Sequence, residues 1–287
     1  MRISVCISGQ PRTWKVSYKS ILNFFQLGEE VKVDYFIHAW DTNSYRDMNT
    51  PRWECADYKI DNNDEEYNIN KAFNPVYMIY EKYEPEQYKT NWASMFYSFM
   101  RSVFLKMKYE LENDFEYDIV VKTRFDINFP QNGMNSFNAP INKFFIHKID
   151  PLTAYTTCSI NRFPSEFFYL NFDDVFFYSD SKTMDLISNI YRWYIKIQDI
   201  GQEEARQRTF IKNVTFFYGP GTLLYKYFTE FSIHMMNYVS YRYYVVRKEA
   251  EGQGLDGIDN WQEIQNISLN WGNAQLKAIQ KSIDENK

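Results

Sequence analysis

Residues 117–129, YDIVVKTRFDINF, constrain the fold of this chain more than any other stretch. Ile119, Val120 and Val121 form a wholly apolar run, the pattern of a strand covered on both faces, as in an α/β sheet. From Val121 onward the pattern alternates. In an extended chain Val121, Thr123, Phe125, Ile127 and Phe129 point to one face, and Lys122, Arg124, Asp126 and Asn128 to the other. Arg124 and Asp126 are therefore expected side by side. Ligands of open α/β sheets collect beyond the carboxyl ends of the strands, where this charged ladder begins.

The flanking segments supply the rest of such a sheet. Residues 2–8 alternate as a first strand and end in Ser8-Gly9-Gln10-Pro11-Arg12, with a helix expected to about residue 25. Residues 33–40 read as a second strand running out into His38-Ala39-Trp40-Asp41, and residues 75–80 as a third. Between them residues 42–74, rich in Asn and Asp, read as an excursion with little regular structure. The best helix spans residue 91 to about 112, with Trp92, Met95, Phe96, Phe99, Val103, Phe104 and Met107 as its apolar stripe. Its opposite edge carries Ser94, Tyr97, Ser98 and Arg101.

Further on, residues 132–142 read as a loop, and residues 144–147 and 174–178 as short strands. A helix starts at Ser181 with Met184, Ile187, Tyr191 and Tyr194 as its stripe. Residues 203–212 and 222–230 read as helices, 235–247 as strand, and 252–257 as a loop in a polar tail. This order predicts a single α/β domain with a mostly parallel central sheet flanked by helices.

Charge and cysteine usage narrow the function classes. A net charge of -5 and a pI near 5.4 lack the basic surface of a general nucleic-acid binder. Cys6, Cys55 and Cys158 are odd in number and show no metal-ligand spacing, which argues against a disulfide framework or a zinc site and fits a reducing cytoplasm. No apolar run approaches the roughly 18 residues of a membrane span, so at most peripheral membrane contact is expected. Aromatic residues make up 19% of the chain, and rings line sugar clefts as well as filling cores.

The chemistry-bearing residues gather at predicted strand ends. Gly9 after the first strand permits close backbone approach to a ligand, and Arg12 beside a helix start favours phosphate, although a tight turn alone accounts for one glycine. Neither the P-loop nor the dinucleotide fingerprint is present. The strings ISGQPRTW, DYFIHAWD, SMFYSFMRSVFLKMKYE, YDIVVKTRFDINF and DDVFFYSDSKTM, in this order over roughly residues 1–190, resemble bacterial and phage glycosyltransferases of GT-A type, including the lipopolysaccharide-synthesis (WavE-like) proteins.

That resemblance implies a GT-A-like (Rossmann-like) domain, with residues 1–130 as a nucleotide-sugar-binding half, 131–250 as an acceptor-side half and 251–287 as a tail. In such enzymes an Asp-x-Asp at the end of a central strand binds the ribose and a divalent cation that holds the donor diphosphate. The matching triplet here is Arg124-Phe125-Asp126. Asp126 is thereby a candidate catalytic residue, as ligand of Mn²⁺ or Mg²⁺ or of the donor sugar. Arg124 occupies the first acidic position and can itself offset diphosphate charge, or simply pair with Asp126.

By the same likeness Ser8, Gly9 and Arg12 lie near the nucleotide, His38 and Asp41 near its base or ribose, and Ser94, Ser98 and Arg101 toward the donor. Asp174 is the candidate base that takes the proton of the acceptor hydroxyl. His234 is a candidate late metal ligand, and Glu203 and Glu204 read as acids at a helix start. The implied partners are a nucleotide sugar and a glycan or lipid-linked saccharide acceptor. The alternatives are a non-catalytic nucleotide-sugar or carbohydrate-binding protein with a degenerate site, and a nucleotidyltransferase, for which SGQPR is a poor glycine-rich loop.

Overall fold

A computed structural model describes residues 1–45, 56–59, 64–88, 91–129, 149–156, 172–198, 220–237 and 244–245. The expected features at residues 132–142, 144–147, 203–212 and 252–257, with Glu203, Glu204, Cys55 and Cys158, lie outside these. The strands are β1 (Arg2–Gly9), β2 (Lys32–Trp40), β3 (Thr42–Tyr45), β4 (Ala56–Lys59), β5 (Tyr77–Glu81), β6 (Ile119–Thr123), β7 (Ile127–Asn128), β8 (Thr153–Thr156), β9 (Phe177–Ser179), β10 (His234–Asn237) and β11 (Tyr244–Val245). The helices are α1 (Trp14–Phe24), α2 (Glu65–Phe73), α3 (Asn91–Asn113), α4 (Ser181–Ser188), α5 (Ile190–Gln198) and α6 (Pro220–Glu230).

Seven strands form one sheet in the order β10-β8-β9-β6-β1-β2-β5. Pairing is parallel along β6-β1-β2-β5 and between β8 and β10, whereas β9 runs antiparallel to both neighbours. The fold is α/β with a mixed, mostly parallel sheet. The central strands β1 and β6 are buried on both faces, as the IVV run predicts: Ile119 and Val121 join Ile3, Val5 and Ile7 under α1 and α2, while Val120 joins Cys6 and Phe36 under α3. Under α1, Phe24 stacks on Phe129 with ring centroids 3.9 Å apart.

Two expectations change. Residues 42–74 contain a β3-β4 hairpin and α2, which Ile69 and Phe73 anchor at a four-residue spacing and Asn74 ends in the left-handed conformation (φ 45°). On α3 the expected polar edge is partly the buried one. Ser94, Ser98, Ser102 and Lys106, four residues apart, face the sheet, while Phe104 and Met107 are exposed with Leu111. Small hydroxyls let the helix approach a sheet surface that Phe36, Trp40 and Phe177 already fill; Cys6 Sγ lies 3.8 Å from the Ser102 carbonyl.

Lys106, wholly buried, ties α3 to α4. Its Nζ lies 2.8 Å from Glu110 Oε2, 2.5 Å from Asp185 Oδ1 and 2.5 Å from Ser181 Oγ. Burial pushes the Asp185 carboxyl up from 3.8 to about 6 in spite of Lys106. An acid whose folded pKa exceeds its unfolded one takes up a proton on folding. Its contribution to stability therefore grows as pH falls through about 6 and levels off below the unfolded value. The melting temperature of the native chain relative to Asp185→Asn is expected to rise from about pH 8 to about pH 4, followed by circular dichroism. A difference independent of pH would show an ordinary carboxyl.

Candidate functional site

The strand order reverses between β1 and β6, since the chain builds outward from β1 to β2 and β5 on one side and crosses to β6 on the other. Crevices beyond the carboxyl ends of strands form at such switch points. The crevice expected at this point would be bounded by the Gly9–Thr13 turn and by the turn at residues 124–126 that follows β6. Gly9 has φ 117°, a torsion that L side chains rarely adopt, and a Cβ built on it meets nothing within 4 Å. Conformation and not crowding therefore calls for glycine. Arg12 also sits in the left-handed region, at φ 44°. Two residues on, α1 starts with neither a side-chain cap nor an acid in its first turn, which leaves the positive end of its dipole uncompensated by carboxylates of that turn.

Beyond Thr123 the chain departs from the expected extended ladder. It turns at 124–126 and resumes as β7, with Phe125, Ile127 and Phe129 all buried beneath α1. Ser17 Oγ donates to the Phe125 carbonyl, and Ser20 Oγ donates to the Phe129 carbonyl at 2.8 Å while accepting from its N–H at 2.7 Å. These bonds hold the turn against α1. Arg124 folds over Asp126 in a two-pronged contact, Nε to Oδ1 at 2.9 Å and Nη2 to Oδ2 at 2.6 Å. Arg12 reaches the same carboxylate, Nη1 to Oδ2 at 3.3 Å, while its Nε donates to Gln10 Oε1 at 3.1 Å. The Asp126 side chain is only 1% exposed, whereas those of Arg12 and Arg124 are 26% and 20% exposed. Two cations thus cover one anion, and each remains partly exposed to solvent.

The acids Asp173 and Asp174 come to the same edge. Because β9 is antiparallel to β6, the chain entering it passes the carboxyl end of β6. Lys122, buried in the middle of β6, donates to the carbonyls of Asp174 and Val175 and so fastens the 173–175 turn to the central strand. Desolvation lowers its pKa from 10.5 to about 8, opposed by Asp174. Asp173 is spent on the turn: Oδ1 accepts from the Val175 N–H at 2.9 Å and Oδ2 from Thr156 Oγ1 at 3.3 Å. Asp174 is half-buried. A lysine inside an otherwise apolar strand was the available signal for Lys122.

The remaining candidates form a second cluster, against α3. Ser8 pairs in register with His38 on the neighbouring strand. The His38 ring is fully buried, with Nδ1 2.8 Å from Ser98 Oγ and Nε2 3.0 Å from Glu81 Oε2. Burial lowers the His38 pKa, and a neutral ring that donates from Nε2 to Glu81 accepts at Nδ1 from Ser98. Glu81 also accepts from Tyr97 Oη at 2.9 Å and lies 3.7 Å from Arg101 Nε. Its own pKa is lowered, chiefly by the His38 bond. Asp41 Oδ1 accepts from the Tyr83 N–H at 2.8 Å. His38, Ser98 and Asp41 thus brace the β2 and β5 ends, and Ser94 is buried on the same helix face. His234, at the first residue of β10, lies at the amino-end edge of the sheet, opposite the crevice, because β10 runs parallel to β8 and hence to β1.

The described residues at this site do not fit a divalent cation. Arg124 stands in the first acidic position of the triplet, and each oxygen of Asp126 already accepts from a guanidinium. Among the described residues no three His, Cys, Asp or Glu side chains converge to hold an ion. Nor is any described helix long and apolar enough to cross a membrane.

No protein-family model matches the chain, and no curated protein matches it. Solved structures with a related chain course include a glycosyltransferase involved in the glycosylation of the major capsid of PBCV-1, at 9% identity and a TM-score of 0.37, covering 83% of this chain and 80% of that one. They also include a nucleoside-diphosphate-sugar pyrophosphorylase from Vibrio cholerae RC9, at 9% identity and a TM-score of 0.39, covering 89% of this chain and 100% of the other.

Proposed function

We propose that this protein is a glycosyltransferase that moves a sugar from a nucleoside-diphosphate donor to a hydroxyl of a glycan or lipid-linked saccharide. One observation carries the reading: Arg12, from the first strand-to-helix turn, meets Asp126, which Arg124 also holds at the end of the central strand, at the point of strand-order reversal. The sequence strings that resemble GT-A glycosyltransferases fall on the elements that build this crevice. In a single displacement, the acceptor oxygen bonds to the anomeric carbon as the bond from that carbon to the diphosphate oxygen breaks. The acceptor proton passes to the Asp174 carboxylate, and the charge left on the diphosphate faces Arg12 and Arg124. Ser8, Ser94, Ser98 and His38, buried between the sheet and α3, and Asp41, bonded to the Tyr83 N–H, brace the β2 side of the site from within.

The test is a panel of sugar nucleotides, read first by thermal shift, since a ligand that binds only the folded state raises the melting point, and then by donor hydrolysis and transfer. Asp174→Asn is expected to lower kcat by about 10²- to 10⁴-fold, the range for general-base catalysis, while the KM for the donor stays near that of the native enzyme. Equal kcat in the two proteins would remove Asp174 from the reaction.

A second reading is a non-catalytic sugar-nucleotide binder. The engagement of Asp126 by two arginines favours it, because that carboxylate is then occupied in the unliganded fold. Calorimetric binding without any donor hydrolysis or transfer would select it.

A further inference from the structure

We infer that the paired guanidinium groups of Arg12 and Arg124 do the work of a divalent cation, so that the protein binds a nucleoside diphosphate without metal. The inference rests on the proposed nucleotide-sugar site and goes beyond it by fixing how the diphosphate is held. An ion approaching the crevice meets the guanidinium groups first, because the carboxylate beneath them is 1% exposed and their own side chains are 26% and 20% exposed. The three side chains sum to one positive charge. A cation would have to displace two arginines, one of them in a two-pronged contact at 2.9 and 2.6 Å, to reach Asp126.

Asp126 then acts as the positioning residue of this pair. Its buried carboxylate fixes one guanidinium from the β1 turn and one from the β6 turn at a common point, although they belong to segments more than a hundred residues apart, as the 114-residue separation of Arg12 and Asp126 shows. Planar guanidinium forks match phosphate oxygens in geometry as well as charge, and two of them span more than one oxygen. The acids Asp173 and Asp174 lie near Lys122, on the side of the crevice toward β9, where its ammonium donates to the Asp174 carbonyl. They leave the β1 side to the arginines.

The experiment is isothermal titration of the full chain with UDP, GDP, ADP and dTDP, each in EDTA and each in Mn²⁺ at equal ionic strength. At least one nucleoside diphosphate is expected to bind in EDTA, with Mn²⁺ changing its Kd by less than about threefold. Arg124→Met and Arg12→Met are each expected to weaken that binding by about 10- to 100-fold, the effect of losing hydrogen bonds to a charged group, and Arg124→Lys to recover only part of it. Binding that requires Mn²⁺, or strengthens tenfold with it, overturns the inference and leaves the glycosyltransferase reading standing. Binding of none of the four in either medium overturns both. Melting curves check that each variant is folded, and if Arg124→Met is not, the comparison of EDTA with Mn²⁺ on the native chain decides alone.

Discussion

Asp126→Asn is expected to remain folded and to lose sugar transfer by at least about 100-fold. The asparagine keeps the size of the side chain but replaces one accepting oxygen by an NH₂ group, which faces a guanidinium donor to donor. Either Arg12 or Arg124 must then move. Misplacing a binding group by about 1 Å costs on the order of 10²-fold in rate, because the positioning that the fold supplies is lost. The fold survives because both arginines reach solvent, at 26% and 20% exposure, and can rehydrate. Transfer from the donor identified by thermal shift, measured together with a melting curve, checks the result; near-normal turnover in a folded variant would reject the role of this carboxylate. Asp126→Ala removes both acceptors and should lose at least as much.

Much of this site was readable because strand periodicity and the rule of strand ends act locally. The IVV run, the alternation of β1 and the glycine after it predict a first and a fourth strand whose carboxyl ends carry Gly9 and Arg124, and the parallel pairing of β1 with β6 brings those ends together. The triplet geometry was only half readable. Two residues apart on a strand implies adjacency, but the contact seen arises in a turn, because Phe125, Ile127 and Phe129 are drawn beneath α1 and the chain cannot continue straight. The partnership of Arg12 with Asp126 lies outside local pattern altogether, as does the hold of Lys122 on Asp174, which spans 52 residues.

On α3 the hydrophobic periodicity held for Phe96, Phe99 and Val103, which are buried, and failed for Phe104 and Met107, which are exposed, for a physical reason. Where facing strands supply the bulk, the helix contributes serines beside Phe96, Phe99 and Val103, so part of its buried face reads as polar while Phe104 and Met107 lie outside. His38 and Ser98 were legible as residues near a strand end and a helix face, yet their mutual bond and that to Glu81 give them structural employment. The helix α2 went unseen because only Ile69 and Phe73 mark its buried stripe within an Asn-rich segment.

The same serine face ends in Lys106, whose replacement by alanine is expected to cost about 3–5 kcal/mol of stability, the range for removing one partner of a buried ion pair. Lys106 is 0% exposed, Glu110 9% and Asp185 26%, so both acids lose their cation in a place where water reaches poorly. Glu110 is further committed: its Oε1 accepts from the Tyr117 N–H at 2.8 Å and from Ser181 Oγ at 2.7 Å, so it cannot turn outward without breaking the approach to β6 and the start of α4. Asp185 has a cheaper escape, by taking up a proton, since its carboxyl already sits at about 6 with the lysine present. The loss in Lys106→Ala should accordingly be smaller at about pH 5 than at about pH 8. Lys106→Met, which fills the space of the stem, should separate the charge effect from the cavity and recover only the packing share. Urea titrations of the three proteins at both pH values, with the slope m unchanged, would read these differences directly, and a Lys106→Ala midpoint equal to that of the native chain would show that α3 and α4 are held by apolar contact alone.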